Sequence, residues 1–195
     1  MGMSVERSTL TGELPLVRTL HAKNILFAAQ IMWRSEGEES SGINLAVFDD
    51  DGTIGDPFRK LSGRSYSGIS LDVVQYFRDS KLWHTMVISN NPLFNGRLRR
   101  IVGEKDIFVP KVKAMLIPYK NTDQAVNDVV PRLMQIENQV PVQSVFMVGD
   151  RFEDEVYLNR LVSGFNRESG NDMRGHFIKL PCVAALNGPL ARWLP

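Results

Sequence analysis

The most informative feature of the sequence is a set of three short, largely apolar runs that each end abruptly in polar residues. The runs cover residues 45–48, 84–88 and 145–148. Runs of this length are typical of strands in a parallel sheet that is covered on both faces. Because parallel strands end at one edge, the polar residues after them should meet there, where open α/β sheets bind ligands. The pattern therefore predicts an α/β fold.

The segment between the first two strands has the spacing of an amphipathic helix. Residues 70–79 should form this helix, with Ser70 as its N-cap and with Leu71, Val74 and Phe77 facing the sheet. A helix in this place would complete a βαβ unit, whose crossover is expected to be right-handed.

Strands and helices continue to alternate along the rest of the chain. Residues 122–137 are helical by periodicity, although Pro131 should kink or divide the helix, and residues 155–162 predict another helix. Short strands are expected over residues 107–110 and, at an edge of the sheet, residues 177–180.

The N-terminal part of the chain has a different pattern. We expect residues 1–42 to be an arm and linker outside the domain of residues 43–195, because residues 34–42 are polar and flexible. Residues 16–33 have the spacing of an amphipathic helix, with Phe27 among its apolar positions. Such a helix can lie on its own domain, on a partner protein or on a membrane surface.

Composition and charge exclude several classes of protein. The chain has 195 residues and a formal net charge of +1, so it should have no general attraction to nucleic acid. No apolar run is long enough to span a membrane. Cys182 is the only cysteine, so an intrachain disulfide is excluded and an intracellular, reducing location is expected.

Three consecutive carboxylates follow the first strand. Asp49 and Asp51 should point into the crevice at the strand ends, while Asp50 turns away. A calcium loop of the EF-hand kind is excluded, because Val47 and Arg59 stand where that loop needs acidic ligands. An acidic turn on a solvated surface remains the simplest alternative.

Polar groups also follow the second strand. Ser89 and Asn90 are placed to donate hydrogen bonds to a phosphate. The alternative is plain helix capping by Ser89 or Asn91.

A cation and further acids come later in the sequence. Lys120 directly precedes a predicted helix start and is the favoured catalytic cation. Lys111 and Lys113 compete with it, and an ordinary surface lysine is the alternative.

Asp150 ends the last predicted strand and should reach the same cation as Asp49. The spacing allows either Asp154 or Glu155 to be the second acid there.

Together these segments resemble the signatures of the haloacid dehalogenase-like (HAD) superfamily of Mg²⁺-dependent phosphotransferases. Asp49-Asp-Asp-Gly-Thr53 is similar to the first signature, Met86-Val-Ile-Ser-Asn-Asn91 to the second, and Val145-Phe-Met-Val-Gly-Asp-Arg-Phe-Glu-Asp154 to the fourth. Lys120 stands between the last two, where the family has a lysine. The resemblance implies a three-layer, doubly wound (Rossmann-like) parallel sheet.

The resemblance also implies a division of labour among these residues. Asp49 would attack phosphorus and form an aspartyl-phosphate, Asp51 would serve as acid and base, and Lys120 would neutralise the phosphate. The implied ligands of Mg²⁺ are Asp49, Asp51, Asp150 and Asp154, and the implied phosphate-binding residues are Thr53, Ser89 and Asn90.

The spacing of the signatures bears on the substrate. The intervals between them are filled by a predicted loop, a helix and short strands, so no cap domain is expected, and an open site suits a phosphate carried on something large. Among capless members the chain resembles the mitochondrial and bacterial-type phosphatidylglycerophosphate phosphatase branch, through Ser89-Asn-Asn91, Val148-Gly-Asp-Arg151 and Asn187 to Leu190. It departs from that branch at Gly52 and Asn121, where Asn and Pro are usual.

The expected function is therefore hydrolysis of a phosphomonoester, such as a lipid head group at a membrane surface. The location would be the mitochondrial matrix or the cytoplasm, and the resemblance favours the mitochondrion. One alternative is a HAD-like domain retained as a non-catalytic assembly module, with residues 1–42 contacting a protein complex. Another is a capless protein or nucleic-acid phosphatase. The intact Asp49, Asp51 and Asp150 favour an enzyme.

Overall fold

Strands and helices alternate strictly along the computed structural model, which describes residues 16–35, 42–55, 66–91, 96–110 and 118–181. The strands are β1 (Val17–His21), β2 (Ile43–Asp49), β3 (Trp83–Ile88), β4 (Ile107–Phe108), β5 (Val142–Gly149) and β6 (Arg174–Lys179). The helices are α1 (Ile25–Arg34), α2 (Gly68–Asp79), α3 (Gly96–Val102), α4 (Asp123–Glu137) and α5 (Phe152–Ser169). The prediction of an α/β fold is confirmed.

The six strands form one parallel sheet in the order β1-β6-β5-β2-β3-β4. The chain builds outward from β2 to β3 and β4, then returns to the other side of β2 to add β5, β6 and finally the N-terminal β1. The sheet therefore changes its winding direction between β2 and β5, and ligands bind α/β sheets at such switch points.

Helices cover both faces of the sheet. On β2, Leu45 and Val47 pack in the core that includes α4 and α5, whereas Ala46 and Phe48 pack in the core that includes α1, α2 and α3. Successive side chains of a strand point to opposite faces, so a strand covered twice must be apolar throughout. This explains the apolar run and confirms the three-layer, doubly wound architecture.

The first crossover helix lies where the periodicity predicts it. Leu71, Val74 and Phe77 are buried on the inner side of α2, as predicted. The N-cap is Ser67 rather than Ser70, because the Ser67 hydroxyl accepts the hydrogen bond from the backbone N–H of Ser70 at 3.0 Å. The helix therefore begins earlier than expected.

The N-terminal prediction needs a correction. A helix was expected over residues 16–33, but residues 17–21 form β1 and pair with β6, from Val17 opposite Gly175 to His21 opposite Lys179. Only the second part of the segment is helical, as α1. Residues 17–34 are thus part of the domain and not of an arm outside it, because hydrogen bonds to β6 fix the strand in the sheet.

Three smaller expectations are also corrected. The segment expected as an edge strand, residues 177–180, falls largely within β6, which lies between β1 and β5 and is not at the edge. Pro131 does not divide α4, which continues from Asp123 to Glu137. The helix expected over residues 155–162 is longer and extends as α5 to Ser169.

Several predicted features lie outside the described residues, namely residues 1–15 and 36–41, the competing Lys111 and Lys113, Cys182, and Asn187 to Leu190. Within the described part, none of the helices has the length and apolar character that crossing a membrane requires.

Candidate functional site

The register of the sheet brings the polar strand ends together. Asp49, the last residue of β2, lies opposite Ile88, the last residue of β3. Ser89 follows on that side, and Asp150 follows β5 on the other side of Asp49. These residues therefore meet at the point where the sheet changes its winding direction.

A tight turn carries the chain away from the end of β2. The backbone N–H groups of Ile54 and Gly55 donate to the carbonyl oxygen of Asp50 at 3.2 and 2.8 Å, and Gly52 has a φ of 87°. The buried Asp50 carboxylate accepts a hydrogen bond from the Tyr66 hydroxyl at 2.8 Å. Asp50 is therefore used to hold this turn.

Three buried carboxyl groups converge beside one buried lysine. One oxygen from each of Asp49, Asp150 and Asp154 lies within 4.8 Å of the others. The Lys120 Nζ donates to Asp49 Oδ1 and to Asp154 Oδ1. Each of the four residues is at most 5% exposed, so water screens their charges little. The buried Lys120 ammonium thus faces Asp49 and Asp154, while the Nε atom of the more exposed Arg151 lies 3.9 Å from Asp150 Oδ1.

Burial and crowding shift the pKa values in this cluster. Burial raises the pKa of Asp49 to about 8, with Lys120 opposing the rise and Asp154 adding to it. Burial and the neighbouring Asp154 raise the pKa of Asp150 to about 6. Burial alone would lower the pKa of Lys120, but attraction to Asp49 and Asp154 outweighs it and raises that pKa. Burial therefore disfavours full ionisation of Asp49 and Asp150, and the nearby basic groups offset it only in part.

Two glycines leave space for the carboxylates. A Cβ on Gly52 would overlap the carboxylate of Asp150, and a Cβ on Gly149 would overlap that of Asp154. The result is a buried cradle of oxygen donors with a deficit of positive charge. Hard divalent cations such as Mg²⁺ prefer this donor set, so these residues fit the expected metal.

Lys120 is held in place from two sides. Its backbone N–H donates to Asn90 Oδ1 at 2.9 Å, which connects the 3-10 turn Tyr119–Asn121 to the loop after β3. The buried Tyr119 donates its hydroxyl to Asp128 on α4 at 2.8 Å. The turn before α4 therefore positions the Lys120 side chain toward the strand ends.

Hydroxyl and amide groups adjoin the carboxylates. Thr53 Oγ1 donates to Asp49 Oδ2 at 3.5 Å, and Ser89 Oγ accepts from the backbone N–H of Asn91 at 3.0 Å. The Asn91 side chain donates through Nδ2 to Asp51 Oδ2 at 3.3 Å. Thr53 and Ser89 are both fully buried.

The structure separates the predicted site residues into two groups. Asp51, predicted as a metal ligand, is not in the carboxylate cluster and contacts Asn91 instead. Asp154 and not Glu155 joins the cluster, because Glu155 accepts a hydrogen bond from the Thr19 hydroxyl of β1. The remaining predicted residues lie in or beside the cluster as described above.

Sequence reasoning missed two supporting residues. Asn91 was considered only as a helix cap, although it follows Ser89 and Asn90 in the second signature. Asp128 gave no signal, because it lies in α4 among other polar residues and its contact with Tyr119 is visible only in the fold.

Comparison with known proteins adds a likeness of fold. No protein-family profile matches the sequence, and no curated protein matches it. The solved HAD domain of effector protein Lem4 from Legionella pneumophila is similar, with 12% identity, a TM-score of 0.38, and coverage of 77% of this chain and 91% of that chain. At this level the likeness assigns no role to any residue.

Proposed function

We propose that the chain is a Mg²⁺-dependent phosphomonoester hydrolase of the HAD type. The observation that supports it best is the meeting of Lys120 with Asp49, Asp150 and Asp154 at the switch point of the sheet. Phosphoryl transfer needs little covalent chemistry from a protein and depends mainly on positioning and charge stabilisation. A buried lysine and a carboxylate cradle supply both.

Asp49, Asp150 and Asp154 would hold the cation. When bound, Mg²⁺ would neutralise charge on a phosphate oxygen and help to orient the phosphate. Asp51 was predicted as a fourth ligand, but its carboxylate is outside the cluster and is left for proton transfer.

In the proposed reaction, a carboxylate oxygen of Asp49 attacks phosphorus while the ester P–O bond breaks. Asp51 gives its proton to the leaving oxygen, and an aspartyl-phosphate forms on Asp49. Asp51, now ionised, takes a proton from a water molecule whose oxygen attacks phosphorus. Inorganic phosphate leaves, and the carboxylate of Asp49 is restored. Lys120 stabilises the charge that develops on the phosphoryl oxygens.

Thr53, Ser89 and Asn90 would bind the transferred phosphate. Thr53 and Ser89 place hydroxyl groups in the buried region around Asp49. Asn90 uses Oδ1 for the backbone of Lys120, so it would donate to phosphate through Nδ2.

The proposed substrate is a phosphate on a large or membrane-presented molecule, such as phosphatidylglycerophosphate. The support is the shortness of the intervals between the signatures, in which the described residues form α2, the start of β3, α3, a 3-10 turn at Glu104–Asp106 and β4 beside loops. A mitochondrial matrix location belongs to the same proposal and rests on the sequence resemblance alone.

The first test is phosphate release from p-nitrophenyl phosphate with Mg²⁺ or with EDTA. We expect turnover that needs Mg²⁺ and that falls by about a thousandfold or more in Asp49→Asn, because the nucleophile is lost. Asp72→Asn, which changes an exposed carboxylate on α2, should have wild-type activity. Turnover that persists in EDTA or in Asp49→Asn would contradict the proposal.

The substrate class has its own test. We expect the purified chain to release phosphate from phosphatidylglycerophosphate in mixed vesicles. Activity limited to small soluble phosphates would be consistent with the hydrolase proposal but would contradict the proposed lipid substrate.

A further inference from the structure

The outward side of α1 is apolar although it lies on the surface. Leu26, Phe27 and Trp33 are 46, 45 and 60% exposed. With Gln30 and Arg34 they occupy an arc of about 120° on the helix, at about 100° per residue. The opposite side of the helix packs in the core through Ile25, Ala28 and Met32. The helix thus has a buried apolar side and a second apolar side that faces solvent.

The charged residues of β1, α1 and the turn between them have one sign. Residues 16–35 contain the basic Arg18, Lys23 and Arg34 and no aspartate or glutamate. The Lys23 Nζ lies 5.8 Å from the centre of the Phe27 ring, so positive charge adjoins the exposed aromatic side chains directly.

A cavity extends the basic surface toward the candidate site. It has a volume of about 340 Å³ and is lined by His21, Ala22, Lys23, Lys179, Leu180 and Pro181. It lies where β1 and β6 end, which is the same edge of the sheet as Asp49 and Asp150. Lys23 and Lys179 therefore line a mainly apolar cavity at the edge of the sheet where the carboxylates lie.

We propose that α1 docks the protein on an anionic phospholipid bilayer. Leu26, Phe27 and Trp33 insert at the level of the head groups, while Lys23 and Arg34 contact lipid phosphates. Helices that lie in a membrane interface combine these features, large apolar side chains beside lysine and arginine. Long basic side chains reach the head groups while their stems stay among apolar groups.

The positive charge of Lys23 and Arg34 beside the exposed apolar side chains favours this occupant over a second copy of the chain. In a twofold dimer the same patch of both chains would meet, so Lys23 and Arg34 of one chain would be brought near Lys23 and Arg34 of the other. An anionic membrane instead supplies the missing negative charge over a broad area.

Docking would also present the candidate site to the membrane. Strands β6 and β1 are the second and third from β2 on the β5 side, and neighbouring strands are about 4.8 Å apart. The cavity with Lys23 and Lys179 therefore lies about 10–15 Å from Asp49 along the same edge. This last step rests on the proposed function, because it concerns a phosphate carried by a lipid in the same bilayer.

The test is flotation of the full chain with vesicles of phosphatidylcholine alone or with added phosphatidylglycerol, at low and high salt. We expect flotation with the anionic vesicles only, weaker at high salt. In a Trp193→Phe background the emission should shift to the blue on binding, because Trp33 leaves water while the buried Trp83 keeps its surroundings. The triple variant Leu26→Ser, Phe27→Ser, Trp33→Ser should lower the bound fraction about tenfold.

Two further variants and a measurement of helix content distinguish a loss of docking from misfolding. Lys23→Glu with Arg34→Glu keeps the apolar side chains and should also lose flotation. Tyr76→Ser removes an aromatic residue that is 50% exposed on α2, beside Asp72 and Asp79, and should bind like the wild type. Circular dichroism must show wild-type helix content in each variant.

Three outcomes would overturn the proposal: no flotation of the wild type, equal flotation of the triple variant, or a wild-type dimer that the triple variant dissociates. The hydrolase proposal is tested separately. The triple variant should hydrolyse soluble p-nitrophenyl phosphate normally, and Asp49→Asn should float normally. Flotation without turnover would contradict the hydrolase proposal and leave the docking proposal standing. Turnover without flotation would contradict the docking proposal and leave the hydrolase proposal standing.

Discussion

The side-chain oxygen of Asn90 accepts a hydrogen bond from the backbone N–H of Lys120 at 2.9 Å. The two residues are separated by α3, β4 and the chain after them, yet this bond joins the loop after β3 to the turn before α4. Asn90 therefore positions the lysine as well as lying near the proposed phosphate.

Asn90→Ala should lower kcat more than it changes KM. Loss of the bond would let the Lys120 turn shift, and small displacements of a catalytic group cost up to about a hundredfold in rate. It should also lower the free energy of unfolding by about 1–2 kcal/mol, because a backbone N–H loses its partner. Kinetics on p-nitrophenyl phosphate and urea unfolding measure the two effects.

Asn159→Ala is a suitable control, since the Asn159 side chain donates to the Glu155 carbonyl on the exposed side of α5 at 3.0 Å. It should leave kcat unchanged. If Asn90→Ala raised only KM, Asn90 would be a substrate contact without a positioning role.

Gly52→Ala should disrupt the carboxylate cradle. The new Cβ would overlap the Asp150 carboxylate, and the φ of 87° would strain any residue but glycine. Gly103→Ala separates these effects, because Gly103 has a similar φ of 92° and no atom within 4 Å of a Cβ placed there. Both variants should lose about 1–2 kcal/mol of stability from backbone strain.

Only Gly52→Ala should also weaken Mg²⁺ binding and turnover. Isothermal titration with Mg²⁺ and the p-nitrophenyl phosphate assay provide the comparison. Equal Mg²⁺ affinity in the two variants would show that the cradle does not depend on the space at Gly52.

Mg²⁺ should raise the melting temperature of the protein. Because burial and, to a smaller extent, the neighbouring carboxylates raise the pKa values of Asp49 and Asp150, a divalent cation should displace protons from them and offset their mutual repulsion. At a hundred times its dissociation constant, Mg²⁺ would add about 2.7 kcal/mol to the free energy of unfolding. Differential scanning fluorimetry across Mg²⁺ concentrations measures the shift.

The stabilisation by Mg²⁺ should shrink strongly in Asp150→Asn and persist in Glu153→Gln. Glu153 lies on the first turn of α5 but is not part of the cluster. A full Mg²⁺ response in Asp150→Asn would place the cation elsewhere.

An ion-pair network centred on Asp106 predicts the pH dependence of stability. Burial raises the pKa of Asp106, but hydrogen bonds from His84 and Arg132, at 2.9 and 2.8 Å, outweigh it and hold the pKa below the ordinary value of 3.8. A carboxylate with a lowered pKa stabilises the fold above pH 3.8, and this contribution is lost as the pH falls through the folded-state pKa.

Asp106→Asn should therefore cost about 1–3 kcal/mol at pH 7, with a loss that shrinks below pH 4. Urea unfolding at both pH values gives the comparison. Asp79→Asn removes an exposed ion pair with Arg78 and should have little effect at either pH. A constant loss for Asp106→Asn at all pH values would mean that the carboxylate acts by packing alone.

The sequence was sufficient to predict the buried strands and the edge of the sheet where their polar ends meet. Apolar runs such as residues 45–48 report burial on both faces directly. It was not sufficient for β1, because the five residues of that strand also fit a helical period and their partners in β6 lie at the other end of the chain. Pairing between distant segments leaves no local pattern.

The spacing alone left the choice between Asp154 and Glu155 open for a related reason, and the structure places Asp154, the residue that the resemblance implies, in the cluster. Their spacing from Asp150 allowed either, and neighbouring residues on a helix point about 100° apart. The direction of Glu155 is set by Thr19 in β1, a strand that the sequence did not predict. Because β1 was not predicted, the second acid of the cluster could not be chosen from the spacing either.

The position of β1 also determines when the sheet can be completed. Val17 pairs with Gly175, so β1 must wait during synthesis for β6, which is made after the other described strands. During synthesis β2, β3 and β5 can assemble while residues 17–21 still lack their partner. The closing of this edge is therefore a late step of folding, and a nascent chain that is stalled before residue 174 carries an unpaired β1.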